Sequence, residues 1–117
     1  MKDVPLRSLA HLGDAVFHLF EREREVTRAH SANQMHKRAR VKATQQAELL
    51  QILVPHLTEE ESDIVRRARN MKATGFRKVD QNSYRHATAF EALLGFLYLT
   101  NFERMKQLLR MTEQPQI

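Results

Sequence analysis

Glu91 is the only charged residue in the segment Ala87 to Leu99, ATAFEALLGFLYL. Wound as a helix, that segment is apolar around nearly its whole circumference and is expected at the centre of the fold. An unpaired carboxylate taken out of water costs roughly several kcal/mol, so such a group is protonated, ion-paired or bound to a metal. Pairing with one of the chain's many arginines would satisfy the burial equally well. Asp14, in LGDAV at Leu12 to Val16, is the second candidate. Helical spacing sets it beside Ala10, His11, Phe17, His18 and Glu21, almost opposite the stripe Leu9, Leu12, Val16, Leu19 and Phe20. A solvated aspartate is the plain alternative. Ala10 and Phe17, however, give this side of the helix an apolar character that a monomer core does not obviously need, and a partner subunit is expected to dock there. Glycine inside a helix costs about 1 kcal/mol against alanine, and Gly13 and Gly95 each lie next to or one turn from a candidate carboxylate. A close crossing of the two helices is the benefit expected in return.

The elements that must position these residues are read from composition and spacing. A chain of 117 residues is long enough for one domain with a genuine core, and a single domain over residues 1–117 is expected. The absence of cysteine excludes disulfides, thiolate nucleophiles, thiolate-ligated zinc and iron–sulfur clusters. No apolar run approaches the ~20 residues of a membrane span, and Met1 to Leu12 lacks the pattern of a signal peptide. A soluble, cytoplasmic protein with no membrane partner is expected. Few Gly and Pro, and scattered β-branched and aromatic residues, point to an all-α fold of roughly five or six helices.

The first helix is predicted from about Leu9 to Val26, with a charged distal end from Glu21 to Glu25. A short helix follows Ser31, and another spans Val41 to Val54, stopped by Pro55, with Ala43, Ala47, Leu50 and Val54 at helical spacing. Thr58 and Glu61 match a capping box; Glu59 and Glu60 suit the positive end of that helix, and Arg66, Arg67 and Arg69 its negative end. Met71 to Asn82 reads as a loop, Ser83 caps a long helix to about Leu99, and a last amphipathic helix runs from about Phe102 to Met111.

The net charge is +5, but its distribution says more. His36 to Lys42 and Arg66 to Lys78 are both basic and free of acids, and two such clusters in a small domain suit a polyanion. Helix-end electrostatics account for part of the second cluster regardless of any ligand. His30, His36 and His86 lack the spacing of a metal site and read as surface or helix-end residues.

LGDAV and FEALLGFLYL, Phe90 to Leu99, resemble the two acidic motifs of the ribonuclease III catalytic domain. The resemblance to its minimal branch, mini-ribonuclease III, extends through MHKRA at Met35 to Ala39, VKATQQAELL at Val41 to Leu50, LTEEESDIVRRARNMK at Leu57 to Lys72 and YRHATAFEALLG at Tyr84 to Gly95. It implies a helical bundle of the ribonuclease III endonuclease type, a homodimer, that hydrolyses double-stranded RNA. Asp14 and Glu91 match the invariant acids of the two motifs, and the resemblance implies that both are catalytic and hold Mg2+, for which Mn2+ can substitute. Duplex RNA presents phosphates and 2′-hydroxyls, so spaced cations suffice to bind it. Lys37, Lys42, Arg67, Arg69, Asn70 and Lys72 are the expected RNA contacts, and Ala10, His11 and Phe17 the expected dimer interface.

Ala10 and Thr88 stand where full-length ribonuclease III carries further acids, which favours one metal per site, since Mg2+ is often held by one or two carboxylates with water and phosphate. His11 occupies the place of an aromatic residue that plugs the partner subunit in larger relatives. The family points to precursor large-subunit (23S) ribosomal RNA as substrate; whether a ribosomal protein assists is not written in the residues. The rival expectation is a non-catalytic, dimeric, helical module that binds double-stranded RNA.

Overall fold

The computed structural model describes residues 4–28, 43–71 and 81–113. Among them are five α-helices and no strand: α1 (Leu6–Arg28), α2 (Ala43–Leu53) with a 3-10 turn (Val54–His56), α3 (Glu59–Arg69), α4 (Gln81–Thr100) and α5 (Phe102–Met111). The short helix expected after Ser31 lies outside the described residues, as does most of the loop expected between Met71 and Asn82.

Each boundary has a local cause. Pro55 tightens the end of α2 into the 3-10 turn, so Val54 leaves the apolar row of that helix and is exposed. Thr58 and Glu61 form the reciprocal capping box: Glu61 N–H donates to Thr58 Oγ1 at 3.1 Å, and Thr58 N–H donates to Glu61 Oε1 at 2.9 Å. Asn101 caps α5 by accepting from Arg104 N–H.

The apolar circumference of α4 makes it the central helix, packed against α1, α2 and α3. Phe90, Leu93 and Leu94 on α4, Leu50 and Leu53 on α2, and Phe17 on α1 are all fully buried. Phe17 meets Phe90 edge-to-face, with ring centroids 5.0 Å apart.

The face that α1 buries is not the one its longest apolar stripe suggests. Leu19 is 69% exposed, whereas Ala10 is 8% and Phe17 0% exposed inside the chain's own core. Ala10 and Phe17 therefore do not form a dimer interface; they fill the monomer. Glu21, on the same face, is buried rather than part of a charged distal end, with Arg24 Nη1 3.7 Å away. The rotation follows from Gly13. A Cβ there would lie 1.7 Å from the backbone oxygen of Glu91, and one on Gly95 would lie 2.0 Å from the backbone oxygen of Leu9. The two backbones touch at the glycines, so the side of α1 carrying Gly13 must face α4, and Ala10 and Phe17 follow at helical spacing.

A clamp at the other end of the fold ties α5 to α3. Arg104 donates to both Glu61 oxygens, at 2.9 and 2.8 Å, and to His56 O at 2.8 Å. This bidentate guanidinium, together with the Thr58 cap, holds the Glu61 carboxyl below its usual range despite burial.

Candidate active site

Because α1 and α4 cross at their glycines, the residues beside the contact are brought together. Asp14 follows Gly13, which lies against the Glu91 backbone, and this brings the Asp14 side chain to the Glu91 carboxyl. Asp14 is about half-exposed and also lies 3.3 Å from His18 Nε2 one turn along α1. Glu91 is partly buried. Burial first, then the hydrogen bond and negative charge of Asp14, push the Glu91 carboxyl from 4.5 up to about 9; a contact with Gln46 opposes the rise. Among the described residues Glu91 thus adjoins another acid and not an arginine.

Two carboxylates pressed together, one made to keep a proton, form a donor set that a cation would relieve. Among the described residues no group of three or more His, Cys, Asp and Glu side chains is placed to hold a metal. The fit is to a hard ion such as Mg2+, which accepts one or two carboxylates and completes its shell with water and phosphate oxygens. Thr88 supplies no further acid here; its hydroxyl donates to Tyr84 O within the helix.

Cation binding at this pair is expected to depend steeply on pH. The folded, metal-free chain keeps the Glu91 proton between its ordinary value of 4.5 and about 9, where the unfolded chain has lost it. That protonation favours the metal-free fold fully below the ordinary value, and the contribution is lost as pH rises through the folded value. A cation must displace this proton, so its apparent affinity should rise about tenfold per pH unit across the neutral range. Calorimetric titration with Mn2+ in buffers of different ionisation enthalpy would count the proton released; an affinity unchanged from about pH 6 to about pH 8 would contradict the site.

Of the expected RNA contacts, Arg67, Arg69 and Asn70 lie at the C-terminal end of α3, with Arg67 and Asn70 exposed and Arg69 half-buried. Arg66 and Arg67 both pair with Asp63, Arg67 at 3.3 Å, and hold its carboxyl below the usual range. Lys37, Lys42 and Lys72 lie outside the described residues, as do His30 and His36. His86 Nδ1 sits 2.7 Å from Asn82 O, one turn back in its own helix.

Two features escape a motif reading. Gln46 is buried beside Glu91, and the available signal is a polar residue in the otherwise apolar row Gln46, Leu49, Leu50 and Leu53. Leu12, Val16, Leu19 and Phe20 of α1 line a groove of about 610 Å³ together with Tyr98 and Phe102, Val16 and Phe20 also packing against the core.

Residues 7–101 match the family model described as "Ribonuclease III domain". The chain is 42% identical over 97% of its length to the mini-ribonuclease 3 of Gloeobacter violaceus, covering 86% of that protein. It is 47% identical over 91% of its length to the mini-ribonuclease 3 of a Thermoanaerobacter species, covering 78% of it. A crystal structure of a protein from Fusobacterium nucleatum superposes with a TM-score of 0.86 at 28% identity, over 98% of this chain and 97% of that one.

Proposed function

Since the chain belongs to the ribonuclease III family and is therefore an endoribonuclease, we propose that it hydrolyses double-stranded RNA with Mg2+ held between Asp14 and Glu91, Mn2+ substituting. The observation that carries this reading is the meeting of those two carboxylates where α1 and α4 cross. A metal held there would supply an activated water and offset the charge developing at the phosphodiester. Asp14 and Glu91 orient that chemistry, and no nucleophile from the protein is required. Arg67, Arg69 and Asn70, with Lys37, Lys42 and Lys72, hold the phosphates of the duplex. The paired acids favour catalysis over a binding module without activity, because such a module gains nothing from a carboxyl forced to keep its proton. Cleavage of a long RNA duplex with Mg2+, and its loss on adding EDTA, is the expected result; duplex binding without cleavage under both conditions would reject the reading.

The proposal extends to a homodimer formed through the groove of α1, α4 and α5. Leu19, Tyr98, Leu99 and Phe102 expose apolar surface in this small chain, and His11, Ala15 and Leu19 continue it along α1 as exposed residues at helical spacing. His11 keeps its expected place at the interface, with Leu12 and Leu19 taking the roles that Ala10 and Phe17 do not fill. The chain should sediment at twice its 13.7 kDa mass and Leu19→Arg as a monomer; a monomeric parent at micromolar concentration would exclude the interface. The family resemblance supports precursor 23S ribosomal RNA in the cytoplasm as the substrate, which mapping of 23S ends with and without the chain would test.

A further inference from the structure

Gln46 is 2% exposed, an amide carried into the core by α2 where that helix packs on α4. Leu49, Leu50 and Leu53 continue its row, so an apolar residue of similar length would suit the packing. The amide lies against the Glu91 carboxyl, yet its buried Nε2 has no hydrogen-bond partner among the described residues. A buried amide left short of a partner costs stability, and such groups are rare where no function holds them. The acid it adjoins is Glu91, one of the two carboxylates of the candidate site.

We propose that Gln46 is a positioning residue of the cation site, its buried amide lying against the Glu91 carboxyl so that the carboxylate would be oriented toward Asp14 and a cation the two would hold. This rests on the metal-dependent reading above. Partners behind a metal's direct ligands set the orientation and basicity of those ligands, and their loss commonly costs about 10- to 100-fold in metal affinity or activity. Gln46 reaches the site from a third helix, so α2 is coupled to a pair that α1 and α4 otherwise form alone.

Gln46→Met keeps an unbranched side chain of similar length and removes the amide. The full chain and this variant would be titrated with Mn2+ alone, melted in EDTA, and assayed for duplex cleavage across Mg2+ concentrations. The variant should melt at or above the parent temperature and bind Mn2+ at least about tenfold more weakly. Its cleavage should be reduced at low Mg2+ and recover at high Mg2+, with KM for RNA unchanged. Parent-like Mn2+ affinity in the folded variant overturns the proposal. So does a lowered melting temperature with unchanged Mn2+ affinity, which marks a packing role. Should Gln46→Met fail to fold, Gln46→Leu is judged by the same measurements. A parent chain that neither binds Mn2+ nor cleaves overturns the metal-dependent reading as well; a parent that does both beside an indistinguishable variant overturns only the role of Gln46.

Discussion

Asp14→Asn is expected to lower duplex cleavage by about 1,000-fold or more while leaving duplex binding at fixed salt nearly unchanged. A metal's electrostatic contribution at a phosphoryl oxygen amounts to several kcal/mol, and about 1.4 kcal/mol corresponds to tenfold in rate. The RNA-binding cations assigned to α3 lie on another element from Asp14, so the variant separates binding from chemistry. Glu91→Gln should lose cleavage in the same way but fold at least as well without metal, because Glu91 already carries a proton across the neutral range. Single-turnover cleavage, duplex binding and melting temperature, measured together, check both variants. Undiminished cleavage by Asp14→Asn would remove that residue from the site, and a sharply less stable Glu91→Gln would show that the carboxylate serves the fold.

Gly13→Ala should be the most disruptive small change in the chain, costing about 3 kcal/mol or more, at the upper end of what overpacking does and a large part of the ~5–15 kcal/mol by which domains are stable. The added Cβ would fall 1.7 Å from Glu91 O, 2.6 Å from its carbonyl carbon and 3.0 Å from its Cα. All three are backbone atoms of a central helix, so relief requires α1 and α4 to move apart rather than a side chain to turn. The gain of about 1 kcal/mol from alanine's helix propensity does not offset this. Denaturant midpoints against Ser8→Ala, an exposed site on the same helix, would isolate the crossing from propensity. A Gly13→Ala chain as stable as its parent would mean that the helices do not approach so closely. Moving them apart should also weaken Mn2+ binding, because the same contact brings Asp14 to Glu91.

Much of this arrangement is legible in the chain. Helical spacing and the Thr58–Glu61 capping box located the helices to within a few residues, since these signals act within one turn, whereas Ser83, expected as a cap, lies inside α4, which already begins at Gln81. The isolation of Glu91 in an apolar segment marked it for a special role, and Gly13 and Gly95 announced a close crossing. The rotation of α1 was not legible in the same way. Leu12, Val16 and Leu19 are as apolar as Leu9, Ala10 and Phe17, and counting apolar residues cannot rank two such faces on one helix.

The all-helical class and the family were determined by the sequence itself, which also singled out Asp14 and Glu91 as the candidate carboxylates, because residue types, local propensities and ordered motifs are properties of the chain. Only the tertiary structure decided that Ala10 and Phe17 belong to the core, that Leu19 and Tyr98 border a groove, and that Gln46 reaches Glu91. The physical reason is the backbone contact at Gly13 and Gly95. Close approach selects the face that lacks side-chain bulk, even where a greasier face is available, and that selection arises only when two helices separated in sequence are brought together.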